Sequence, residues 1–285
     1  MHPAIKAGNV AVITGAGFGG IGFALASTFA QQKLRLALID NSSSSLNEAV
    51  SNLKLPQSDV LAIEADVSDF EAMKKASKSV LDKFGKVNVL CLNAGTSATG
   101  ASTSNGKMDI WKKILDVNLW GVINGSNAFT EPVISSNEPG LVVITGSKQG
   151  ITCPPGNPAY NVSKAGVKAF AEQVAHELRE STGDRVTAHL LVPGWTFTKL
   201  TNTAGKKEKP DGAWWPQQVV DYAMPRIEKG DFYIICPDND VTEDLDKARM
   251  EWSANDVVQN RPALSRWSKE YKDEFAQFIK EKTGK

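Results

Sequence analysis

Short runs rich in Val, Ile and Leu recur along the chain, and they do not alternate strictly with polar residues. Strands that are buried on both faces of a sheet have this pattern. The runs predict seven strands, at Val10–Thr14, Arg35–Asp40, Val60–Glu64, Val87–Leu92, Leu141–Thr145, Val186–Val192 and Phe232–Cys236.

Segments of helical length separate these runs, and their apolar residues recur at roughly helical spacing. The clearest predicted helices are Ile21–Gln32, Phe70–Phe84, Asp109–Ile134 and Ala159–Glu180. Strands that alternate with helices form parallel sheets with right-handed crossovers. The pattern therefore predicts an α/β fold: a doubly wound, Rossmann-type, parallel seven-stranded sheet with helices on both faces.

Two segments interrupt the alternation. The polar stretch Lys199–Pro216 contains Gly and Pro and includes two adjacent tryptophans, which is typical of a long loop or lid. The last fifty or so residues have charged helical character. We expect one catalytic domain over 1–236, with the lid inside it, and a C-terminal helical appendage over 237–285 that Trp252 and Trp267 pack onto the body.

Composition excludes several classes of protein. The chain has 285 residues with 32 basic and 32 acidic side chains, so its formal net charge is zero. This balance argues against a general nucleic-acid or anionic-membrane surface, and no apolar run approaches the ~20 residues of a membrane helix. Cys91, Cys153 and Cys236 are too widely spaced for a zinc site or a disulfide framework. We expect a cytoplasmic protein without a metal site.

The stretch VITGAGFGGIG contains five glycines in eleven positions. Gly15, Gly17 and Gly20 match the pattern G-x-G-x-x-G, and so do Gly17, Gly19 and Gly22. A predicted strand precedes the glycines and a predicted helix follows them, which is the setting of a turn that cradles a dinucleotide pyrophosphate. Backbone N–H groups at the helix N-terminus then meet the anion. The alternative is a flexible turn that binds nothing.

Asp40 ends the second predicted strand, about twenty residues beyond the glycines. A carboxylate there can accept hydrogen bonds from both ribose hydroxyls and repel a 2′-phosphate. The glycine loop contains no Arg or Lys, so NAD is favoured over NADP. Asp40 could instead cap a helix beginning near Ser43, and the two roles are compatible.

Further along, Tyr160 and Lys164 are four residues apart and share one face of a predicted helix. Ser147 closes the preceding strand. Open α/β sheets place their sites at the ends of strands, so these three residues are candidates for catalysis. His176 and His189 have no other potential metal ligands near them in the sequence, and we expect both to be structural.

In this order the residues resemble the short-chain dehydrogenases/reductases of the short single-domain type, over roughly 9–236. The resemblance rests on the glycine turn, Asp40, Ala65–Val67, Asn93–Gly95, Asn118, Ser147, Tyr160, Lys164 and Pro193–Thr198.

The turn departs from the usual family pattern T-G-x-x-x-G-x-G. Thr14-Gly15 and Gly20-Ile21-Gly22 fit its two ends, but four residues lie between them instead of three. We expect a loop one residue longer, whose extra glycines let it close around the same phosphates. Which backbone amides contact the pyrophosphate stays open.

The resemblance implies a catalytic set. Tyr160 would be the general acid/base, and Lys164 would lower its pKa and hold the nicotinamide ribose. Ser147 would orient the carbonyl oxygen. Asn118 would hold a water that links Lys164 to solvent.

The resemblance also implies cofactor contacts. Asp66 would meet the adenine amino group and Val67 the adenine ring, while Asn93 and Gly95 would line the adenosine ribose and Thr198 would contact the carboxamide. The complete set implied is Gly15, Gly17, Phe18, Gly20, Ile21, Asp40, Asp66, Val67, Asn93, Gly95, Tyr160, Lys164, Pro193, Gly194, Thr196 and Thr198.

The implied activity is an NAD(H)-dependent oxidoreductase that interconverts a secondary alcohol and a ketone. The alternatives are a dehydratase or isomerase on the same fold and a non-catalytic dinucleotide sensor. Ser147, Tyr160, Trp195, Trp214 and Trp215 are the predicted substrate contacts, and their aromatic rings favour a bulky apolar cyclic or aromatic substrate. The paired tryptophans could instead only anchor the lid.

The lid contains no arginine, and its lysines cluster at Lys206, Lys207 and Lys209. The lid therefore disfavours an anionic substrate held by a bidentate clamp.

We also expect a homodimer or homotetramer, because the two long predicted helices resemble those that pair between subunits in this family. The apolar stripe expected to serve both the sheet and a partner is Val167, Phe170, Ala171, Val174 and Leu178. The C-terminal appendage could instead cover that surface.

Overall fold

A computed structural model describes residues 1–104, 107–202 and 208–284. Its strands form one seven-stranded sheet of order β3-β2-β1-β4-β5-β6-β7, and every neighbouring pair is parallel. The strands are β1 Val10–Thr14, β2 Arg35–Asp40, β3 Val60–Glu64, β4 Val89–Leu92, β5 Gly140–Thr145, β6 Val186–Val192 and β7 Tyr233–Ile235. The predicted fold class is confirmed.

Helices connect the strands and continue beyond the last one. Their bounds are α1 Ile21–Gln31, α2 Ser43–Leu53, α3 Phe70–Phe84, α4 Met108–Leu115, α5 Gly121–Ser135, α6 Gln149–Thr152, α7 Pro158–Thr182, α8 Pro216–Lys229, α9 Glu243–Val258 and α10 Lys272–Thr283. No helix in the described ranges combines the length and apolar character that crossing a membrane requires.

Two apolar layers enclose the sheet. Helices α1, α2 and α8 pack on one face, and α3, α5 and α7 pack on the other. Successive residues of β1 alternate between the layers: Ala11 and Ile13 join the first, while Val10 and Val12 join the second. Both sets are buried, which explains why the strands carry continuous apolar runs instead of alternating ones.

The long helix predicted over Asp109–Ile134 is interrupted. A π-helical turn at Asp116–Trp120 separates α4 from α5. Apolar spacing continues through both helices, so the pattern does not reveal a single widened turn. Such turns occur frequently at functional sites, and this one carries Asn118.

The C-terminal appendage has an apolar centre of its own. Trp252 on α9 is buried, and its ring lies 5.2 Å from each of the rings of Phe275 and Phe278 on α10. The Arg261 guanidinium stacks on the opposite side, 3.8 Å from the ring centroid of Trp252. Trp252 thus packs within the appendage, and its expected role in attaching the appendage to the body stays a prediction.

Candidate active site

A cleft of about 1120 Å³ opens at the carboxyl ends of the strands. The chain leaves β1 towards β2 on one side and returns to β4 on the other, and this switch point is where open α/β sheets bind ligands. Every residue of the predicted cofactor set lines the cleft, as do Ser147 and Trp195.

At two positions of the glycine turn a Cβ would strike backbone atoms. Gly15 has a φ of +65°, and a Cβ on it would lie 2.7 Å from the Ala94 Cα. A Cβ on Gly22 would overlap the Gly15 carbonyl oxygen. The turn is therefore packed against backbone on its inner side.

The additional residue of the turn is accommodated by a left-handed conformation. Gly19 has a φ of +89° and faces open space. Gly20 then serves as the N-cap of α1, which begins at Ile21 with no side-chain cap. The uncapped N–H groups at this helix start are the type of donor that binds a phosphate.

Asp40 fastens the turn from the next strand. Its Oδ2 accepts a hydrogen bond from the Gly17 N–H at 2.9 Å, and its Oδ1 accepts one from the Ser42 N–H at 3.1 Å. Ser42, and not Asp40, caps α2, because its hydroxyl accepts from the Ser45 N–H. The carboxylate lies at the cleft and keeps further lone pairs for a ligand.

Asn93 connects the turn to the centre of the sheet. Its side-chain amide donates to the carbonyl oxygens of Thr14 and Gly15 at 3.2 and 3.3 Å. Its Oδ1 accepts from the Thr145 hydroxyl at 3.1 Å. This residue holds β1 and β5 in a fixed relation at the base of the cleft.

The predicted catalytic side chains meet beside this base. Ser147 follows β5, while Tyr160 and Lys164 lie on the first turns of α7. The buried Lys164 Nζ donates to the Thr145 carbonyl at 2.9 Å and lies 5.9 Å from the centroid of the Tyr160 ring. Three residues from the end of β5 and the start of α7 thus line one part of the cleft.

Burial shifts the pKa values of both Tyr160 and Lys164. It raises the pKa of the Tyr160 phenol, and hydrogen bonding from Ser147 opposes this effect. Burial lowers the pKa of Lys164 to about 8. At neutral pH the phenol is therefore protonated and able to donate a proton, and the lysine remains largely charged.

Asn118 lies behind the cleft and does not line it. It is buried on the π-helical turn, where its Oδ1 accepts from the Thr96 N–H at 2.7 Å and its Nδ2 donates to the Thr96 carbonyl at 2.9 Å and to the Ser163 hydroxyl at 3.1 Å. A Cβ on Gly95 would lie 3.4 Å from Oδ1 of Asn118 and 3.7 Å from Nζ of Lys164. Its geometry is that of a positioning residue, and its predicted water relay stays a prediction.

Neither Trp214 nor Trp215 is among the described residues that line the cleft. The Trp214 ring packs 5.7 Å from that of Tyr222, and its indole N–H donates to Asn239 at 3.0 Å. The Trp214 backbone bonds to Trp195 and Phe197. This geometry favours the alternative in which Trp214 anchors the end of the lid, and the substrate contact of the two tryptophans stays a prediction. Residues 203–207, with Lys206 and Lys207, lie outside the described residues.

The C-terminal appendage forms one wall of the cleft. Lys148, next to Ser147, forms ion pairs with Asp238 at 3.4 Å and with Asp246 on α9. The Trp195 N–H donates to the Asp238 carboxylate at 3.0 Å. Residues beyond the last strand thereby fix the position of the segment beside Ser147.

Sequence reasoning missed several residues of the cleft. Lys199, at the start of the lid, reaches Ser45 with 3.4 Å between Nζ and Oγ. Arg249 on α9, together with Arg266 and Trp267 beyond it, also lines the cleft. Trp267, which the sequence predicts to pack the appendage onto the body, therefore also forms part of the cleft wall. No local motif marks these positions, because only the return of the chain brings them to the site.

Comparisons with known proteins place this geometry in a family. The family model described as short chain dehydrogenase matches residues 9–209. The protein SadH of Mycobacterium tuberculosis is 37% identical over 171 residues, which is 60% of this chain and 61% of that protein. The alignment thus spans less than two thirds of the mycobacterial relative.

Two further relatives extend the match. The 1-deoxy-11-beta-hydroxypentalenate dehydrogenase of Streptomyces avermitilis is 30% identical over 68% of this chain and 70% of its own length. The crystal structure of a short chain dehydrogenase/reductase from Burkholderia phymatum in complex with NAD has a TM-score of 0.81 and 27% identity, and the match covers 92% of this chain and 97% of that one. A nicotinamide dinucleotide cofactor is typical of such proteins, and the chain belongs to the short chain dehydrogenase family.

Proposed function

We propose that the protein is an NAD(H)-dependent oxidoreductase acting on CH–OH donors, which interconverts a secondary alcohol and a ketone. The observation that carries the proposal is the meeting of Ser147, Tyr160 and Lys164 at one end of a cleft whose other end is a glycine cradle. A dinucleotide-binding sensor has no need of a phenol and an ammonium group at that place.

The residues of the cleft fit the cofactor. A Cβ on Gly15 or Gly22 would strike backbone atoms, so the turn is shaped for close approach, and the uncapped start of α1 supplies donors for the pyrophosphate. Asp40 would accept from the adenosine ribose and repel a 2′-phosphate, which favours NAD. The structurally similar Burkholderia protein was solved with NAD.

The nicotinamide supplies or accepts the hydride when the cofactor is bound. Ser147 donates a hydrogen bond to the substrate oxygen and orients it. In the direction of reduction, the Tyr160 phenol gives its proton to the same oxygen. The charge of Lys164 favours the phenolate, and its ammonium group would donate to the nicotinamide ribose when the cofactor is bound, so proton transfer is carried by this chain.

We propose a bulky cyclic or aromatic substrate. Trp195 and Trp267 are 43% and 39% exposed while they line the cleft, so their rings are available to an apolar ligand. The Streptomyces relative is named for an 11-beta-hydroxy compound, which accords with a secondary alcohol as the reacting group.

We also propose that the chain is one catalytic unit with an attached C-terminal appendage, and that it forms a homodimer or homotetramer. Val167, Ala171, Val174 and Leu178 of the predicted stripe are buried against the sheet, which leaves them unable to serve a partner. The candidate contact lies elsewhere on the neighbouring helices, where two apolar side chains are half exposed. These are Trp120 and Val162.

The decisive test is nicotinamide absorbance with a panel of ketones and alcohols, using the wild type and Tyr160→Phe. We expect the variant to keep its NAD affinity and to lose turnover by ~10²–10⁴, because only the transferable proton is removed. Oxidation by the wild type should rise with pH as the phenol loses its proton, whereas reduction should fall.

Tyr233→Phe is the matched control, since its phenol bonds to Glu172 away from the cleft. Turnover by Tyr160→Phe at the rate of this control would contradict the assignment. NAD binding without turnover of any panel member would favour the sensor instead.

A further inference from the structure

The appendage brings two arginines to the cleft without giving them partners. Arg249 and Arg266 line the cleft, and neither guanidinium forms a hydrogen bond or ion pair with any described residue. The Nε of Arg249 is buried with no acceptor. A guanidinium carries five N–H donors, and leaving buried donors unsatisfied is costly.

A third arginine of the same appendage, Arg261, has hydrogen-bond partners within the protein. Arg261 pairs with Asp256 at 2.9 Å, donates to the Trp252 carbonyl at 2.7 Å and stacks on the Trp252 ring. Its donors are directed into the protein, as is usual for a structural arginine. Arg249 and Arg266, in contrast, keep their donors for the cleft.

The two free guanidinium groups lie close enough to influence each other. The pKa of Arg266 falls to about 10, mainly through burial and secondly through the charge of Arg249. Asp246 lies within electrostatic range of both arginines, but Lys148 already pairs with it. The wall therefore carries three cations against Asp238 and Asp246, an excess of positive charge that an incoming anion would balance.

Aromatic rings fix one of these groups. The Arg266 guanidinium lies 4.8 Å from the ring centroid of Trp267 and 5.3 Å from that of Phe275. Ring contacts of this kind leave the N–H edge of a guanidinium available for a planar, bidentate partner. A carboxylate has the matching shape and charge.

The position of Arg249 and Arg266 favours a role in binding the substrate over one in binding the cofactor. Asp246 is three residues before Arg249 on α9, and it is tied to Lys148, which directly follows Ser147. The cofactor phosphates are expected at the opposite end, on the glycine turn. The arginines thus lie on the Ser147 side of the cleft, on the wall that the appendage forms.

We propose that Arg249 and Arg266 form a carboxylate subsite, so that the substrate is a ketone or secondary alcohol whose ring-bearing body also carries a carboxylate away from the reacting carbon. This inference rests on the proposed function. It also revises the expectation drawn from the lid, whose lack of arginine disfavours an anionic substrate: the clamp comes from the appendage instead.

The test compares keto acids with their neutral esters. Para-acetylbenzoate and beta-benzoylpropionate are assayed beside their methyl esters with NADH, using the wild type, Arg249→Met, Arg266→Met and the control Lys269→Met, whose exposed lysine does not line the cleft. We expect kcat/KM of the wild type to be about ten-fold or more higher for an acid than for its ester. Each arginine variant should lose that preference and retain its rate on the ester.

A binding measurement without turnover completes the test. Calorimetry on the NAD-saturated protein should show 2-naphthoate binding at least about ten-fold more tightly than methyl 2-naphthoate, and the arginine variants should abolish the difference. The affinity for NAD should be the same in all four proteins.

Equal rates and affinities for acids and esters would overturn the subsite, as would an equal loss on both in the variants. Weaker NAD binding in the arginine variants would assign the pair to the cofactor and overturn it too. Turnover of neutral ketones without any preference for acids would leave the proposed function standing, whereas NAD binding without turnover of any compound would refute that function separately.

Discussion

The two ends of the cleft are built in different ways. The cofactor end is made of backbone: a glycine turn, a helix start and the amide of Asn93 lie within one neighbourhood of the sheet. The proposed substrate end is made of side chains from separate segments, and the ion pairs of Lys148 connect the Ser147 segment with the appendage. On the proposed function, the first construction would bind the pyrophosphate that all dinucleotides share, and the second could vary without disturbing it.

If this comparison is right, a change in the turn should affect cofactor binding before anything else. Gly22→Ala places a Cβ against the Gly15 carbonyl oxygen. Overpacking of this kind costs about 1–3 kcal/mol, so NAD affinity should fall by roughly ten- to a hundred-fold, with a lower melting temperature. Fluorescence titration and thermal denaturation measure both.

Gly20→Ala is the matched control for this change. Gly20 has an ordinary φ of −105°, and a Cβ there would meet only the Gly17 carbonyl oxygen at 4.0 Å. Its melting temperature should stay close to that of the wild type. A Gly22→Ala protein as stable as this control would show that the turn is not held by close packing.

A smaller effect is expected from Asp40→Ser. The substitution removes the charge that would repel a 2′-phosphate, but it also removes the acceptor of the Gly17 N–H. The ratio of NAD to NADP affinity should shift towards NADP by about ten-fold, which corresponds to ~1.4 kcal/mol. Asp66→Ser should instead weaken both cofactors alike. A wild type that prefers NADP would overturn the role given to Asp40.

Breaking the substrate end should leave the cofactor end intact. Lys148→Met would leave two buried carboxylates without their cation, and breaking a buried pair costs about 3–5 kcal/mol. We expect a several-fold loss of kcat/KM and a lower melting temperature, at unchanged NAD affinity. Lys168→Met, which removes a surface pair on α7, should change neither. An equal fall in NAD affinity would show that the two ends are not independent.

The smallest selective effect concerns the lid. Trp214→Ala removes the contact with Tyr222 and the bond to Asn239, so the melting temperature should fall by a few degrees, at roughly 2–4 °C per kcal/mol for a chain of this size. Losses of kcat/KM should be equal for a bulky cyclic ketone and a short one. A larger loss for the bulky ketone would support Trp214 as a substrate contact. Trp215→Ala, at a half-exposed site, should lower the melting temperature less than Trp214→Ala does.

Features that depend on neighbouring residues can be predicted from the amino-acid sequence. Apolar runs gave β1, β2, β3 and β6 with the observed bounds, and the spacing of Tyr160 and Lys164 placed both on one helix. Burial on both faces leaves a continuous signal in a strand, and a four-residue interval is a property of the helix itself. The glycine turn could also be predicted from the sequence, since the need for glycine there arises from the local backbone conformation.

The remaining features depend on contacts between distant parts of the chain. The bounds of β7 shrink to Tyr233–Ile235, and the turn that carries Asn118 widens, without any change in apolar spacing. Trp214, which the sequence predicts in the cleft, does not line it, whereas Trp267 does line it. Both are tryptophans with polar sequence neighbours, so the sequence does not distinguish them. Arg249 and Arg266 reach the site from beyond the last strand because Lys148 holds Asp238 and Asp246. A residue's sequence neighbours fix its local conformation, but which distant side chains it meets depends on how the packed elements bring the chain back.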